Sequence, residues 1–194
     1  VRGPYAGAPI SKRLIRAQER AMVATKQTAR LTDRQNGGSR PSGKRVRMKT
    51  YVKTLKFLTK EAPHFIDITR QVKEFLAETG VQDGLLVVYS RHTTAAVVIN
   101  ENEPLLLEDM KQRLEAFAPR KDYYKHNDFS IRTVNITADE PPNGHAHCQH
   151  LLLGGSQTIP VIAGEASVGQ WQSIFFLELD SPRNREVIVQ VVGE

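Results

Sequence analysis

Residues 85–100, LLVVYSRHTTAAVVIN, decide the fold. Leu85–Ser90 and Thr94–Asn100 are apolar, β-branched runs, each of strand length, and they are separated only by Arg91, His92 and Thr93. Short apolar runs bounded by polar residues read as buried strands, so the chain forms two strands around a polar junction. Any chemistry carried by that junction is therefore held at a strand end.

Outward from this pair, the pattern alternates between the two regular periods. On the N-terminal side, Met48–Leu58 alternates Tyr51, Lys53, Leu55, Phe57 against Val52, Thr54, Lys56, Leu58, a strand with one face more apolar than the other. Ile68, Val72, Phe75 and Leu76 then recur at helical spacing, with Asp67 as N-cap and Gly80 as the stop. On the C-terminal side, Pro104 suits a first helical turn, and Leu105, Leu106, Met110, Leu114 and Phe117 continue at helical spacing to Pro119. Residues 119–146 are mostly polar and read as a long connection, which in a compact domain is either functional or mobile. A short helix over His147–Leu153 ends at Gly154 and Gly155, and strands follow at Gln157–Ile162, Trp171–Leu179 and Glu186–Val192. In Trp171–Leu179 both alternating sets are apolar, so both faces should be covered. The sum is a single compact α+β domain over residues 48–194, with a mixed, mostly antiparallel sheet packed with helices.

Charge separates the rest of the chain from this domain. The sequence has 194 residues and a net charge of +6, but residues 1–49 hold 13 Lys and Arg against Glu19 and Asp33 alone. The remaining residues are net acidic. Residues 34–44 contain no apolar side chain other than Pro41, too little to offset the entropy of ordering, so residues 1–47 read as a disordered basic arm. Ile10, Leu14, Ile15, Ala17, Ala21 and Met22 give the arm a faint amphipathic helix of the kind found in mitochondrial presequences. A solvated tail, or a stretch translated upstream of Met48, is the simpler reading, and the location is cytoplasmic or mitochondrial. Nucleic acid is disfavoured as a partner, because no aromatic residue interleaves the basic ones to stack on bases. No apolar run approaches the roughly 20 residues of a membrane-spanning helix, and Cys148 has no second cysteine to pair with.

Candidate chemistry rests on histidines and polar strand ends. His145, His147 and His150 cluster, while His92 and His126 fall on junctions or loops; two or three of these could hold Zn²⁺ or a similar ion if folding brings them together. Asn100, Glu101, Asn102 and Glu103 end a strand and precede a helix. They read either as helix caps, or as a site with Glu101 as general base and the amides orienting a ligand. Gly154, Gly155 and Ser156 lack the following Gly-Lys-Ser/Thr of a phosphate loop. Trp171 is expected in the core, with Gln172 needing a partner there, and Arg183 and Arg185 are expected to be solvated in a hairpin turn.

Taken together, HTTA at His92–Ala95, NEN at Asn100–Asn102, the His147 helix with Leu152, Leu153 and Gly154, then Ser156, and GQWQ at Gly169–Gln172 resemble the YjbQ-like family, also called secondary thiamine-phosphate synthase-like proteins. The resemblance runs from about Met48 to Glu194. It implies an α+β domain that assembles as a homotrimer with a polar pocket near a subunit boundary. It further implies a divalent metal ion, Zn or Mg, on His92, His126 and His147, with Glu101, His126 and His147 as catalytic groups. Asn100, Asn102, Ser156 and Gln172 would be ligand-binding neighbours, and His145 and His150 fall outside the pattern. The Gly-Gln-Trp here stands where the family usually has Gly-Thr-Trp. The implied activity is weak formation of thiamine phosphate from an aminopyrimidine diphosphate and a thiazole phosphate; a non-catalytic binding protein for a small anionic metabolite is the alternative.

Overall fold

The computed structural model describes residues 47–137 and 139–194, so the reading of residues 1–47 as a disordered arm lies, apart from Arg47, outside the described residues. In chain order the elements are β1 (Lys49–Leu58), β2 (His64–Asp67), α1 (Thr69–Thr79), β3 (Gly84–Ser90), β4 (Ala95–Asn100), α2 (Pro104–Phe117) and a 3₁₀ turn at Lys125–Asn127. There follow α3 (Gly144–Leu153), β5 (Ser156–Ile162), β6 (Glu165–Ala166), β7 (Ser173–Glu178) and β8 (Asn184–Gly193). The architecture is α+β. The strands divide between two sheets, ordered β1-β8-β3-β5-β6 and β2-β7-β4, and the described pairs are antiparallel.

Sequence explains this division. β3 and β4 belong to different sheets, because Arg91–Thr94 carries the chain from one to the other. β7 and β8 repeat the crossing through residues 179–183. Between the sheets, α1 buries Val72, Phe75 and Leu76 against Leu86 and Val88 of β3, Val187, Val189 and Val191 of β8, and Ile174 and Phe176 of β7. On the far side of the second sheet, Leu177 and Leu179 meet Leu114 of α2 and Ala146 of α3. β7 is thus covered on both faces, as its unbroken apolar run requires. Burying side chains of this size stabilises by about 1.5–3 kcal/mol each, so β7 is the strand around which the layers are assembled.

Local signals are mostly met. α1 ends on Gly80 at φ 69°, the left-handed conformation that favours glycine. Asp67 stands one residue before the N-cap, Ile68, yet its carboxylate still accepts the N–H of Thr69 at 2.9 Å. Pro104 begins α2, and the N-cap Glu103 accepts the N–H groups of Leu105 and Leu106. Trp171 corrects the expectation of a core tryptophan: β7 starts at Ser173, the ring belongs to the preceding turn, and it is 66% exposed. Among the described residues no helix is long and apolar enough to cross a membrane.

Candidate functional site

Both sheet crossings occur at the same end of the molecule, and the long connection before α3 folds over them. The result is a polar cavity of about 520 Å³. Its walls come from Arg91–Thr94 between β3 and β4, Arg183 and Arg185 at the entry to β8, the connection that carries His126, Arg132 and Glu140, and the start of α3 with Asn143 and His147.

The base of the cavity is a buried ion pair. Arg185, expected to be solvated, is 4% exposed and donates to both carboxylate oxygens of Glu178 at 2.6 Å, and to the Thr94 hydroxyl at 2.9 Å. This is a correction with a cause that was visible in the sequence. Arg185 is in phase with Val187, Val189 and Val191, and that face of β8 is buried throughout. Burial pushes the Glu178 carboxyl up, but hydrogen bonds and charge from Arg185 prevail and leave it below the ordinary carboxylate range. Arg183 is half-exposed and bound to Asp180 at 2.6 Å.

His126 reaches His147 because of a glycine. The 3₁₀ turn packs so closely on the first residue of α3 that a Cβ at Gly144 would lie 2.6 Å from Cβ of Tyr124, and the Gly144 N–H donates to Asn127 Oδ1 at 2.9 Å. The two imidazole rings consequently stand 4.6 Å apart, centroid to centroid, edge to face. Burial, and next the neighbouring His126, hold His147 below the ordinary imidazole range, so it is neutral near pH 7. Glu140 lies 3.5 Å from Nε2 of His126 and is itself paired with Arg132 at 2.8 Å. Arg132 also donates to the carbonyls of His126, Val134 and Asn135, so one guanidinium organises the loop.

His92 is held differently. Beyond the last residue of β3, the N–H of Glu186 in β8 has no ladder partner there, and His92 Nε2 accepts it at 3.0 Å. A nitrogen that accepts from an amide carries no proton and has no lone pair left for a metal. The three histidines are therefore unequal. His126 Nε2 is buried without a hydrogen-bond partner and its ring lies 4.6 Å from that of His147, which suits a pair of imidazoles holding a divalent ion. His92 does not fit as their third ligand in this arrangement, and among the described residues no three His, Cys, Asp or Glu side chains converge on one point.

The other candidates lie elsewhere in the chain. Glu101 follows β4, whose six residues at about 3.3 Å each put it roughly 20 Å from the Arg91–Thr94 crossing. Asn100 Oδ1 accepts the Glu101 N–H, Asn102 donates to Asp67 at 2.9 Å, and Gln172 Oε1 accepts the Gly169 N–H at 2.7 Å. Ser156 pairs with Tyr89 and does not line the cavity. His145 is buried with neither ring nitrogen hydrogen-bonded among the described residues, and His150 bonds the Ala95 carbonyl oxygen at 3.0 Å; neither lines the cavity. Arg91, Arg132, Glu140 and Asn143 are cavity residues that the sequence reading did not single out. Only the length of the 119–146 connection signalled the last three.

Comparison with known proteins agrees with this architecture. Residues 53–194 match the family described as UPF0047 protein YjbQ-like. A UPF0047 protein of Methanothermobacter thermautotrophicus is 44% identical over 149 residues, covering 77% of this chain and 96% of its own. UPF0047 protein YugU of Bacillus subtilis is 35% identical, covering 73% and 99%. Among solved structures, a YbjQ-like protein of unknown function from Sulfolobus solfataricus superposes with TM-score 0.69 at 34% identity, over 76% of this chain and all of that one. A hypothetical protein from Aeropyrum pernix gives 0.66 at 37% identity, over 74% and 99%.

Proposed function

The chain belongs to the YjbQ-like UPF0047 family, and on that premise we propose that it is a small enzyme acting on an anionic, phosphate-bearing metabolite in the His126–His147 cavity. The observation that carries this reading is the joining, in one polar cavity, of two adjacent imidazoles with the side chains of Arg91, Arg132, Arg183 and Arg185. Guanidinium groups recognise phosphate oxygens, and adjacent imidazoles either hold a divalent ion or, without one, accept and return protons. Arg91, and Arg183 through the guanidinium nitrogens that its bond to Asp180 leaves free, orient the anionic group. Arg132 and Arg185, more fully engaged, keep the walls in place.

A divalent ion, Zn or Mg, would be held by His126 and His147, and when bound it would stabilise negative charge on a phosphate or a departing diphosphate. With both imidazoles so engaged, proton transfer falls to Glu101. In the homotrimer that the family resemblance implies, the Glu101 of a second copy would enter the cavity at the subunit boundary, together with Asn100, Asn102 and Gln172. Thiamine-phosphate formation suits such a site: the aminopyrimidine carbon loses its bond to diphosphate oxygen and gains one to the thiazole nitrogen, and the arginines bind the diphosphate.

The test is the metal content of the full chain, purified without chelators and measured by elemental mass spectrometry beside His126→Ala and His147→Ala. A near-stoichiometric ion, lost in both variants with circular dichroism unchanged, is expected. An ion retained in both variants would overturn the placement. A second reading, a non-catalytic binding protein for a small anionic metabolite, is favoured by Arg91, which lines the cavity and which no carboxylate among the described residues pairs, whereas Arg132, Arg183 and Arg185 each have one. It requires that the ligand raise the melting temperature and be recovered unaltered; turnover would exclude it.

A further inference from the structure

We infer that His92 is an oxyanion donor and not a metal ligand: its Nδ1–H, with Arg91 and Thr93 beside it on the crossing between the sheets, forms the cradle for the phosphate group. The inference rests on the reading of the cavity as an anion site, and it assigns that site's specificity to one nitrogen.

The argument begins with the hydrogen bond to Glu186. An imidazole that accepts a backbone N–H at Nε2 cannot carry a proton there, so the ring is neutral and its one proton sits on Nδ1. The ring orientation is fixed by the same contact, because turning it over would set a carbon against the Glu186 amide and leave a partly buried donor unmet. Nδ1 has no hydrogen-bond partner among the described residues, and His92 lines the cavity. It therefore presents a donor to whatever enters. A cation at Nδ1 would have to displace that proton and create an imidazolate beside the Arg185 side chain. An anion needs no rearrangement.

The neighbours agree in sign and in type. Arg91 and Thr93 are exposed on either side of His92 and line the same cavity, so a guanidinium, a ring N–H and a hydroxyl alternate along three consecutive residues. Neither Arg91 nor Thr93 has a side-chain hydrogen bond within the described residues, whereas Arg132 and Arg185 are committed to Glu140 and Glu178. Burial, and then the Arg185 charge, keep His92 below its ordinary range, which is consistent with a ring that stays neutral while it donates. The strained alternative, three histidines on one metal, would cost the Glu186 amide its partner.

The full chain, labelled with ¹⁵N-histidine, reports this directly, with inorganic phosphate and Zn²⁺ as separate probes. The expected spectrum has His92 Nδ1 protonated and Nε2 unprotonated; phosphate moves the Nδ1 signal, and Zn²⁺ moves the His126 and His147 nitrogens but not those of His92. His92→Ala should weaken phosphate binding about 10-fold to 100-fold, the worth of a hydrogen bond to a charged acceptor, and leave metal content unchanged. A protonated Nε2, or Zn²⁺ shifts on His92, would overturn the assignment, and the wild-type spectrum decides this even if the variant fails to fold. Phosphate binding weakened by Arg183→Ala but not by His92→Ala would leave the anion site standing and remove His92 from it. No response of the wild type to phosphate would refute the anion site and this assignment together.

Discussion

The two ends of β4 look alike in sequence and differ in what their polar residues do. At one end, Arg91-His92-Thr93-Thr94 leads into the strand; at the other, Asn100-Glu101-Asn102-Glu103 leads out of it. At the exit, the side chains of Asn100, Asn102 and Glu103 are satisfied locally, by the Glu101 amide, by Asp67 and by the first turn of α2. At the entrance, side chains from four separated segments converge on a cavity, and His126 Nε2 is buried without a partner. Polar residues at a strand end thus do structural work when their hydrogen bonds are complete, whether the partner is the next residue or, as Asp67 is to Asn102, 35 residues away. They become available for a ligand when those bonds are incomplete.

This contrast can be broken first at the base of the cavity. Glu178→Ala leaves Arg185 buried and unpaired, and should cost about 3–5 kcal/mol of stability in urea or thermal unfolding, since it removes one partner of a buried pair. A loss below 1 kcal/mol would mean that the pair is solvated. Gly144→Ala comes next. The added methyl meets Tyr124, so the 3₁₀ turn must shift, at a cost of about 1–3 kcal/mol, and His126 should move away from His147 with loss of metal or phosphate binding. Unchanged binding would show that the ring contact is incidental.

The exit end sharpens the comparison by a smaller and purely structural effect. Glu103→Ala should lower stability by about 1 kcal/mol through loss of the α2 cap, and phosphate affinity should not change. The smallest effect is a pH dependence. Burial, and then the Arg120 charge, hold His145 below its ordinary value of 6.5. Its unfolded-state pKa is then the higher of the two, and stability should fall as pH drops below about 6.5, levelling once the folded group also protonates. His145→Leu should flatten that slope in chemical unfolding curves measured between pH 5 and 7.5.

Much of the fold was legible because its signals are local or strictly periodic. β7 showed two apolar faces, α1 a helical stripe closed by Gly80, and α2 a proline at its first turn. β2 is four residues long and β6 two, too short to show a period against neighbouring polar residues. Trp171 misled because hydrophobic size argues for burial, whereas the chain places it in the turn before β7. The site was legible in part. His92, His126 and His147 were read from the sequence and share one cavity, but Arg132 and Glu140 sit in an aperiodic loop, where no spacing marks them. Arg185 could have been found, since it continues the buried alternation of β8.

The most direct measurement compares the two ends of β4 in one experiment: calorimetric titration of the full chain with inorganic diphosphate, beside the His126→Ala/His147→Ala double variant and Glu101→Gln. The expected result is binding by the wild type and by Glu101→Gln, with none by the double variant at unchanged melting temperature. Binding retained by the double variant at wild-type affinity would contradict the account and place the diphosphate away from His126 and His147.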